Sequence, residues 1–125
     1  MTPRPIIIDT DPGQDDAAAI LLTLASPALN LLGLCSVAGN VPLPLTTKNA
    51  LMLLELAGRT DLGVYAGCPR PLVRTQVTAE HAHGRTGLDG CGLPDPQTEP
   101  RPQHAVDWLI DTLRGASESV TLVSI

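Results

Sequence analysis

Asp-Thr-Asp-Pro-Gly-Gln-Asp-Asp, residues 9–16, places four carboxylates within eight positions. The apolar, β-branched run Ile6–Ile8 comes before it and is typical of a buried strand. The run Ala17–Leu22 comes after it and has the pattern of the first turns of a helix. The acidic stretch therefore forms the turn between the carboxyl end of a strand and the amino end of a helix. In open α/β sheets, ligands bind at such turns.

The carboxylates of this turn repel each other unless a cation lies between them. Oxygen ligands without a nearby Cys or His suit a hard cation, Ca²⁺ or Mg²⁺. The Pro12-Gly13 turn allows Asp11 and Asp16 to face one point. Asp15 and Asp16 also fit the simpler interpretation of an acidic first helical turn, which the helix dipole favours. That interpretation does not explain Asp9 and Asp11, so the pattern indicates a metal site.

Length, charge and composition exclude several classes of function. A chain of 125 residues is one domain or part of one, and its net charge of −5 gives no footprint for nucleic acid or an anionic membrane. Aromatic residues make up 2% of the chain, too few for a single-strand stacking platform. The three cysteines lie far apart and indicate reduced thiols. Without a signal peptide or a membrane-spanning run, we expect a cytoplasmic protein.

Apolar periodicity predicts alternating strands and helices along the chain. The predicted strands are residues 5–9, 30–38, 62–66 and 119–125, and the predicted helices are residues 14–25, 45–57 and a third that begins with Pro102 at N1 and ends before Gly115. Gly58 is expected just beyond the end of the second helix. Strands separated by helices form parallel, right-handed crossovers. The predicted fold class is α/β, a Rossmann-like, mostly parallel sheet with flanking helices.

Two features of this arrangement bear on a site. Asn40 follows the second strand, so it lies at the same sheet edge as the acidic turn, although an Asn after Gly is also a common turn former. Residues 67–102 show no periodicity, and a loop of that length is either functional or disordered. Its polar residues include His81, His83, Arg85 and Asp89.

The last predicted strand ends at Ile125, where a further turn and helix would be expected. We therefore expect residues 1–125 to be the N-terminal portion of a single longer α/β domain, incomplete at its C-terminus. Uncovered apolar faces of such a sheet favour association into a homo-oligomer.

These residues resemble the inosine/uridine-preferring nucleoside hydrolases. The run Ile-Ile-Ile-Asp-Thr-Asp-Pro-Gly-Gln-Asp-Asp-Ala at residues 6–17 is similar to the signature of that family. Similar runs occur at Ala25-Ser26-Pro27, Val37-Ala38-Gly39-Asn40, Asn49-Ala50-Leu51, Leu54–Gly58, His83–Gly90 and Val120–Val123. The resemblance implies a nucleoside hydrolase fold and cleavage of the N-glycosidic bond of ribonucleosides to free base and ribose.

The resemblance also implies a role for each metal-site residue. Asp11 and Asp16 would coordinate a catalytic Ca²⁺, and Asp11 would be the general base toward the attacking water. Ile125 falls where the family offers a backbone carbonyl to the Ca²⁺. Asp9 would lie behind the site, and whether it reaches the ion is left open.

Three further residues would bind the nucleoside substrate. Asp15 and Asn40 would hold the ribose hydroxyls, and His83 lies on the loop that lines the nucleobase pocket in family members. Family members are well over twice this length, and their later half supplies another metal ligand, a leaving-group His and further pocket residues. We therefore expect the 125-residue chain to be weakly active or inactive by itself.

Two alternatives remain from the sequence. An Asp-x-Asp after an apolar strand also occurs in haloacid-dehalogenase-type phosphatases, although Asp15 and Asp16 have no role there. A non-catalytic remnant that binds Ca²⁺ or ribose is the other alternative.

Overall fold

A computed structural model describes residues 2–125 as four strands and four helices, which alternate except that the last two helices are consecutive. In chain order these are β1 (Arg4–Thr10), α1 (Gln14–Ala25), β2 (Leu29–Ser36), α2 (Leu43–Leu56), β3 (Gly63–Ala66), α3 (Glu80–His83), α4 (Ala105–Gly115) and β4 (Thr121–Ser124). The predicted strands are each found within a few residues, and α1 has the predicted bounds. Ser26 caps α1 at its C-terminal end, ahead of Pro27.

The strands form one parallel sheet in the order β3-β2-β1-β4. In the register, Asp9 at the end of β1 lies between Cys35 of β2 and Ser124 of β4. The predicted parallel sheet with flanking helices is therefore confirmed. Because all four strands point the same way, their carboxyl ends meet along one edge of the sheet.

Helices cover both faces of the sheet, so the domain has three layers. On one face, Ile6 and Ile8 pack with Ile20 of α1 and the buried run Ala50–Leu54 of α2. On the other face, Ile7 and Cys35 pack with α4 through Ala105, with Trp108 and Leu109 partly buried beside them. Alternate β1 side chains thus serve opposite cores, as the period-two geometry of a strand requires. This central position of β1 fixes the acidic turn that follows it.

The third predicted helix begins later than expected, and the placement of Pro102 at its N1 position is wrong. Arg101 pairs with the edge of β3, where its backbone N–H donates to the Val64 oxygen at 2.8 Å. That extended backbone delays the helix until Ala105. His104 caps the helix instead, because its Nδ1 accepts from the Val106 N–H at 3.2 Å.

The second helix begins two residues before its predicted start, with Pro42 as N-cap and Pro44 in the first turn, where a missing N–H is tolerated. Gly58 follows the end of this helix with φ +67°, the left-handed conformation expected of it. The short helix α3 inside the 67–102 segment was not predicted. None of the helices in residues 2–125 is long and apolar enough to cross a membrane.

Candidate active site at the acidic turn

The acidic turn is closed by a contact between its own residues. Asp16, in the first turn of α1, is 5% exposed, and its Oδ2 accepts from the Gly13 N–H at 3.3 Å. A carboxylate at this helical position that reaches back to the preceding backbone is one half of a capping box. The turn thus directs Asp16 inward while Asp15 remains exposed.

Asn40 holds Asp11 from the loop that follows the neighbouring strand, β2. The Asn40 backbone N–H donates to Asp11 Oδ2 at 2.6 Å, and its side-chain Nδ2 donates to the Asp11 backbone oxygen at 2.9 Å. A hydrogen bond to a carboxylate is short and strong, so the Asp11 side chain has a defined direction. Gly39 is required beside it, because a Cβ there would collide with the Asp11 carboxylate. The predicted proximity of Asn40 to the acidic turn is confirmed.

Four carboxylates interact electrostatically at this sheet edge. Burial, and then the negative charge of Asp11, raise the pKa of Asp9, which the Ser124 side chain partly offsets. Burial raises the pKa of Asp16, and the Gly13 hydrogen bond partly offsets this by lowering it. The negative charges of Asp11 and Asp15 raise it further. Both carboxyl groups therefore ionise less readily than an exposed Asp, which is the condition that a bound cation would relieve.

Cys35 is paired beside Asp9 in the sheet and is 1% exposed. Burial, and then the Asp9 charge, raise the pKa of its thiol to about 12. The thiol stays protonated at neutral pH and is a poor nucleophile and metal ligand. The Cys35 sulfur is therefore a poor candidate for a metal ligand at this edge.

His83 lies against the acidic turn from the other side. Its Nδ1 accepts from the Gln14 backbone N–H at 3.5 Å, and a Cβ on Gly13 would lie 2.6 Å from that nitrogen. The same Cβ would lie 3.0 Å from Asn40 Nδ2, so Gly13 lets both side chains approach. The Ala79 N–H donates to the Asn40 oxygen at 2.8 Å and fixes the start of α3. The structure thus brings His83 and Asn40 together over the turn.

Asp15 and Ile125 lie at the margins of this group. Asp15 is exposed at the start of α1 and reaches the cluster through its charge on Asp16. The Ile125 backbone N–H donates to the Asp9 oxygen at 3.0 Å, so the residue extends β4 beside the end of β1. The Ile125 side chain is 42% exposed.

Comparisons with known proteins show the family of the chain. Residues 6–125 match the model of the inosine-uridine preferring nucleoside hydrolase family. The chain belongs to this family.

Individual members are similar along almost the whole chain. An uncharacterized protein of Schizosaccharomyces pombe is 58% identical over 109 residues, which are 87% of this chain and 35% of that protein. The pyrimidine-specific ribonucleoside hydrolase RihA of Photobacterium profundum is 50% identical over 96% of this chain and 39% of its own length. A solved structure of the plant nucleoside hydrolase PpNRh1 superposes with a TM-score of 0.93 and 38% identity, covering 99% of this chain and 40% of that chain.

The chain thus spans about two-fifths of the length of the relatives that it matches. The predicted family and the nucleoside hydrolase fold are confirmed, with this chain covering 40% of the plant enzyme structure. Because the chain belongs to the nucleoside hydrolase family, the alternative of a haloacid-dehalogenase-type phosphatase is excluded.

Asn49 contacts the backbone of the site, and no role was assigned to it from the sequence. It lies in α2, is 1% exposed, and its Nδ2 donates to the Pro12 oxygen at 3.0 Å and to the Thr86 oxygen at 2.7 Å. The available signal was an amide in the middle of the apolar run of α2, because a buried amide needs hydrogen-bond partners. Its partners are backbone oxygens of two distant segments, which no sequence pattern reveals.

The donor set at the turn fits part of a calcium shell. Asp11 and Asp16 supply hard oxygen ligands, and Ca²⁺ takes six to eight of them. Within residues 2–125, no group of three or more His, Cys, Asp or Glu side chains is placed to hold a metal ion. A groove of about 420 Å³ lies elsewhere, between α2 and residues 96–100, and includes none of the predicted site residues.

Proposed function

We propose that residues 1–125 form the calcium- and ribose-binding portion of one nucleoside hydrolase domain, which cleaves the N-glycosidic bond of ribonucleosides to free base and ribose. The observation that carries the proposal is the acidic turn, where Asp11 is held by Asn40 beneath His83. The activity is proposed for the protein in which these residues lie, since the chain spans about two-fifths of its relatives.

The proposed cofactor is Ca²⁺, held by Asp11 and Asp16 with the backbone carbonyl of Ile125. When bound, the ion would supply positive charge that lowers the pKa of a coordinated water. The raised pKa values of Asp9 and Asp16 support a cation at this edge, because neighbouring carboxylates would then ionise without mutual repulsion. Asp9 would act from behind the ligands through its charge.

Asp11 is the proposed general base. The Asn40 backbone N–H donates to Asp11 Oδ2, so the other carboxylate oxygen, Oδ1, is the one that would take a proton from the attacking water. Cleavage of an N-glycosidic bond develops positive charge on the ribosyl ring, as in glycoside hydrolysis. The negative charges of the turn lie where they would stabilise that oxocarbenium-like state.

The proposed ribose ligands are Asp15 and Asn40. Asn40 donates through Nδ2 to the Asp11 backbone, so its amide oxygen is the group that would accept from a ribose hydroxyl. Asp15 is exposed beside Asp16 and would accept from a second hydroxyl. His83 lies above Gly13 and would line the nucleobase side.

The proposed location is the cytoplasm. The proposed partner is a small-molecule nucleoside substrate, without nucleic acid or membrane partners. The three cysteines are unpaired, as in a reducing compartment, and the net charge of −5 disfavours anionic polymers.

Calcium binding to the purified chain tests the proposal. The Asp16→Asn substitution keeps the shape of the side chain and removes its charge, so we expect Ca²⁺ affinity in isothermal titration calorimetry to fall by at least about tenfold. Asp61→Asn is the matched control, because Asp61 is exposed and pairs with Arg59. Equal Ca²⁺ affinity in Asp16→Asn and the wild type would contradict the metal assignment.

Hydrolysis is measured in parallel as ribose released from inosine and uridine. The chain offers two carboxylate ligands where Ca²⁺ prefers six to eight oxygens, so we expect slow turnover by the chain alone. Rapid turnover would contradict that expectation. Binding of Ca²⁺ and ribose without turnover in the full-length protein would favour a non-catalytic protein instead.

A further inference from the structure

The side chain of Asn49 is the most enclosed polar link between the segments that form the site. A buried amide is stable only when its donors are satisfied. Both of the Asn49 side-chain donors are used, one by the Pro12 oxygen and one by the Thr86 oxygen. Because both partners are carbonyl oxygens, the group that faces them is the nitrogen.

The two carbonyls belong to the two halves of the site. Pro12 lies between Asp11 and Gly13 in the acidic turn, and Thr86 follows His83 in the glycine-rich segment. At Gly87, a Cβ would lie 2.9 Å from Asn49 Nδ2 and 3.0 Å from the Pro12 oxygen. The backbone of the segment therefore approaches the turn directly, with Asn49 bridging the two.

The helix that carries Asn49 is rigidly placed. Its neighbours Ala50–Leu54 are all buried against β1 and β2. A side chain fixed in this way sets the distance between the acidic turn and the His83 segment. Pro12 and Thr86, its two partners, lie outside helices and strands. The hydrogen bond from the Gln14 N–H to His83 is long at 3.5 Å.

We propose that Asn49 is a positioning residue for the site, which holds the His83 segment against the acidic turn through the Pro12 and Thr86 carbonyls. The catalytic meaning of this role rests on the proposed function. The coupling between the two segments is a property of the chain itself and is tested without turnover.

The test uses Asn49→Leu, which keeps the branched shape of the side chain and removes both donors. Thr46→Val is the matched control, because Thr46 is fully buried in the same helix and donates within it, to the Leu43 oxygen at 3.0 Å. Hydrogen exchange is followed at the amides of His83 and Gly84 in the loop, Gly13 in the turn and Ile8 in the sheet.

We expect Asn49→Leu to speed exchange at His83, Gly84 and Gly13 by about tenfold or more relative to Ile8. The reason is that these segments would open locally more often once the Asn49 hydrogen bonds are lost. Thr46→Val should leave that ratio unchanged. Ca²⁺ affinity should fall several-fold in Asn49→Leu alone, because the Pro12 carbonyl adjoins Asp11. If Asn49→Leu does not fold, Asn49→Ala replaces it under the same criteria.

An unchanged ratio in the Asn49 variant, or the same change in Thr46→Val, would overturn the positioning role. Failure of the wild-type chain to bind Ca²⁺ would instead count against the proposed function, and the exchange ratio would still decide whether Asn49 couples the two segments.

Discussion

At the scale of single residues, the acidic turn opposes the stability of the fold that carries it. Asp9 and Asp16 have raised pKa values because they are partly buried near Asp11. Their ionised forms are therefore less favourable in the folded chain than in the unfolded chain. Residues kept in such an arrangement are typical of functional sites, where stability is exchanged for binding.

This conflict predicts an unusual dependence of stability on pH. The folded chain retains protons on Asp9 and Asp16 at pH values where the unfolded chain has lost them, so its stability falls as pH rises through their raised pKa values. Asp61 and Asp89 have lowered pKa values, and their contribution is lost only below the ordinary Asp range. We expect Asp9 and Asp16 to stabilise the metal-free chain increasingly as pH falls through their raised pKa values toward the ordinary Asp pKa.

Urea denaturation in the presence of a chelator measures this dependence. Asp16→Asn removes one of the two groups and should give a shallower slope, whereas Asp61→Asn should not. The same slope in Asp16→Asn and the wild type, as pH falls from neutral toward the ordinary Asp pKa, would contradict the prediction.

At the scale of elements, the glycine-rich segment after α3 is held by side chains rather than by regular structure. Asp89 accepts from the Arg85 N–H at 2.8 Å and from the Thr86 N–H at 3.1 Å, which closes the segment on itself. Gly87 then brings its backbone against Asn49 and the acidic turn. The position of His83 depends on these contacts.

Gly87→Ala should therefore be more damaging than Gly90→Ala. Both glycines have positive φ, +85° and +83°, so each substitution carries about 1 kcal/mol of backbone strain. A Cβ at Gly87 also meets Asn49 and Pro12, whereas a Cβ at Gly90 meets nothing within 4 Å. We expect Gly87→Ala to lower the free energy of unfolding by about 1 kcal/mol more than Gly90→Ala, because the tight contact must give.

Denaturant titration of the two variants measures that difference. Equal losses would show that the close approach at Gly87 has no energetic weight.

The elements also show how far the sequence predicts the structure. The Ile6–Ile8 run, the Ser26-Pro27 stop and Gly58 locate the first strand and two helices, because these signals are local. Their alternation then predicts the parallel sheet and the meeting of Asn40 with Asp11. The start of α4 was misplaced because Arg101 pairs with β3, a tertiary contact that overrides the preference of Pro102 for a helical first turn.

The contacts that lay beyond sequence reasoning are those made by side chains to distant backbone. Asn49 reaches Pro12 and Thr86, which are each 37 positions away, and Glu55 accepts from the Gln97 and Thr98 N–H groups. Neither set of contacts follows a helix or strand periodicity, so the sequence pattern does not predict it. The individual roles proposed for Asp11, Asp15, Asp16 and His83 remain predictions.

At the scale of the whole molecule, one side of the domain exposes apolar surface. Val106, Ile110 and Leu113 follow one another along α4 at helical spacing and are 43% to 47% exposed. Leu122 of β4 is similarly exposed, and β4 is an edge strand without an outer neighbour within residues 2–125. An exposed apolar edge of this kind favours association.

We expect the isolated chain to self-associate with increasing concentration, and Ile110→Glu together with Leu122→Glu to suppress it. Leu72→Glu with Val73→Glu is the control, because these residues are 94% and 95% exposed in a loop and the added charge is the same. Sedimentation velocity at several concentrations distinguishes the variants. Suppression by both pairs would show that net charge, rather than this surface, controls association.

The order of strands in the sheet also bears on how the site is made. β1 is the first strand to be synthesised, and β4, its neighbour on one side, is the last. Ile6 pairs there with Thr121, and the Ile125 N–H donates to the Asp9 oxygen. Such a pairing closes a loop of nearly the whole chain, which slows folding. A nascent chain would therefore carry β1 paired with β2 on one side only, with Asp9 at an open sheet edge, until β4 emerges from the ribosome. The environment of the acidic turn would be among the last parts to mature.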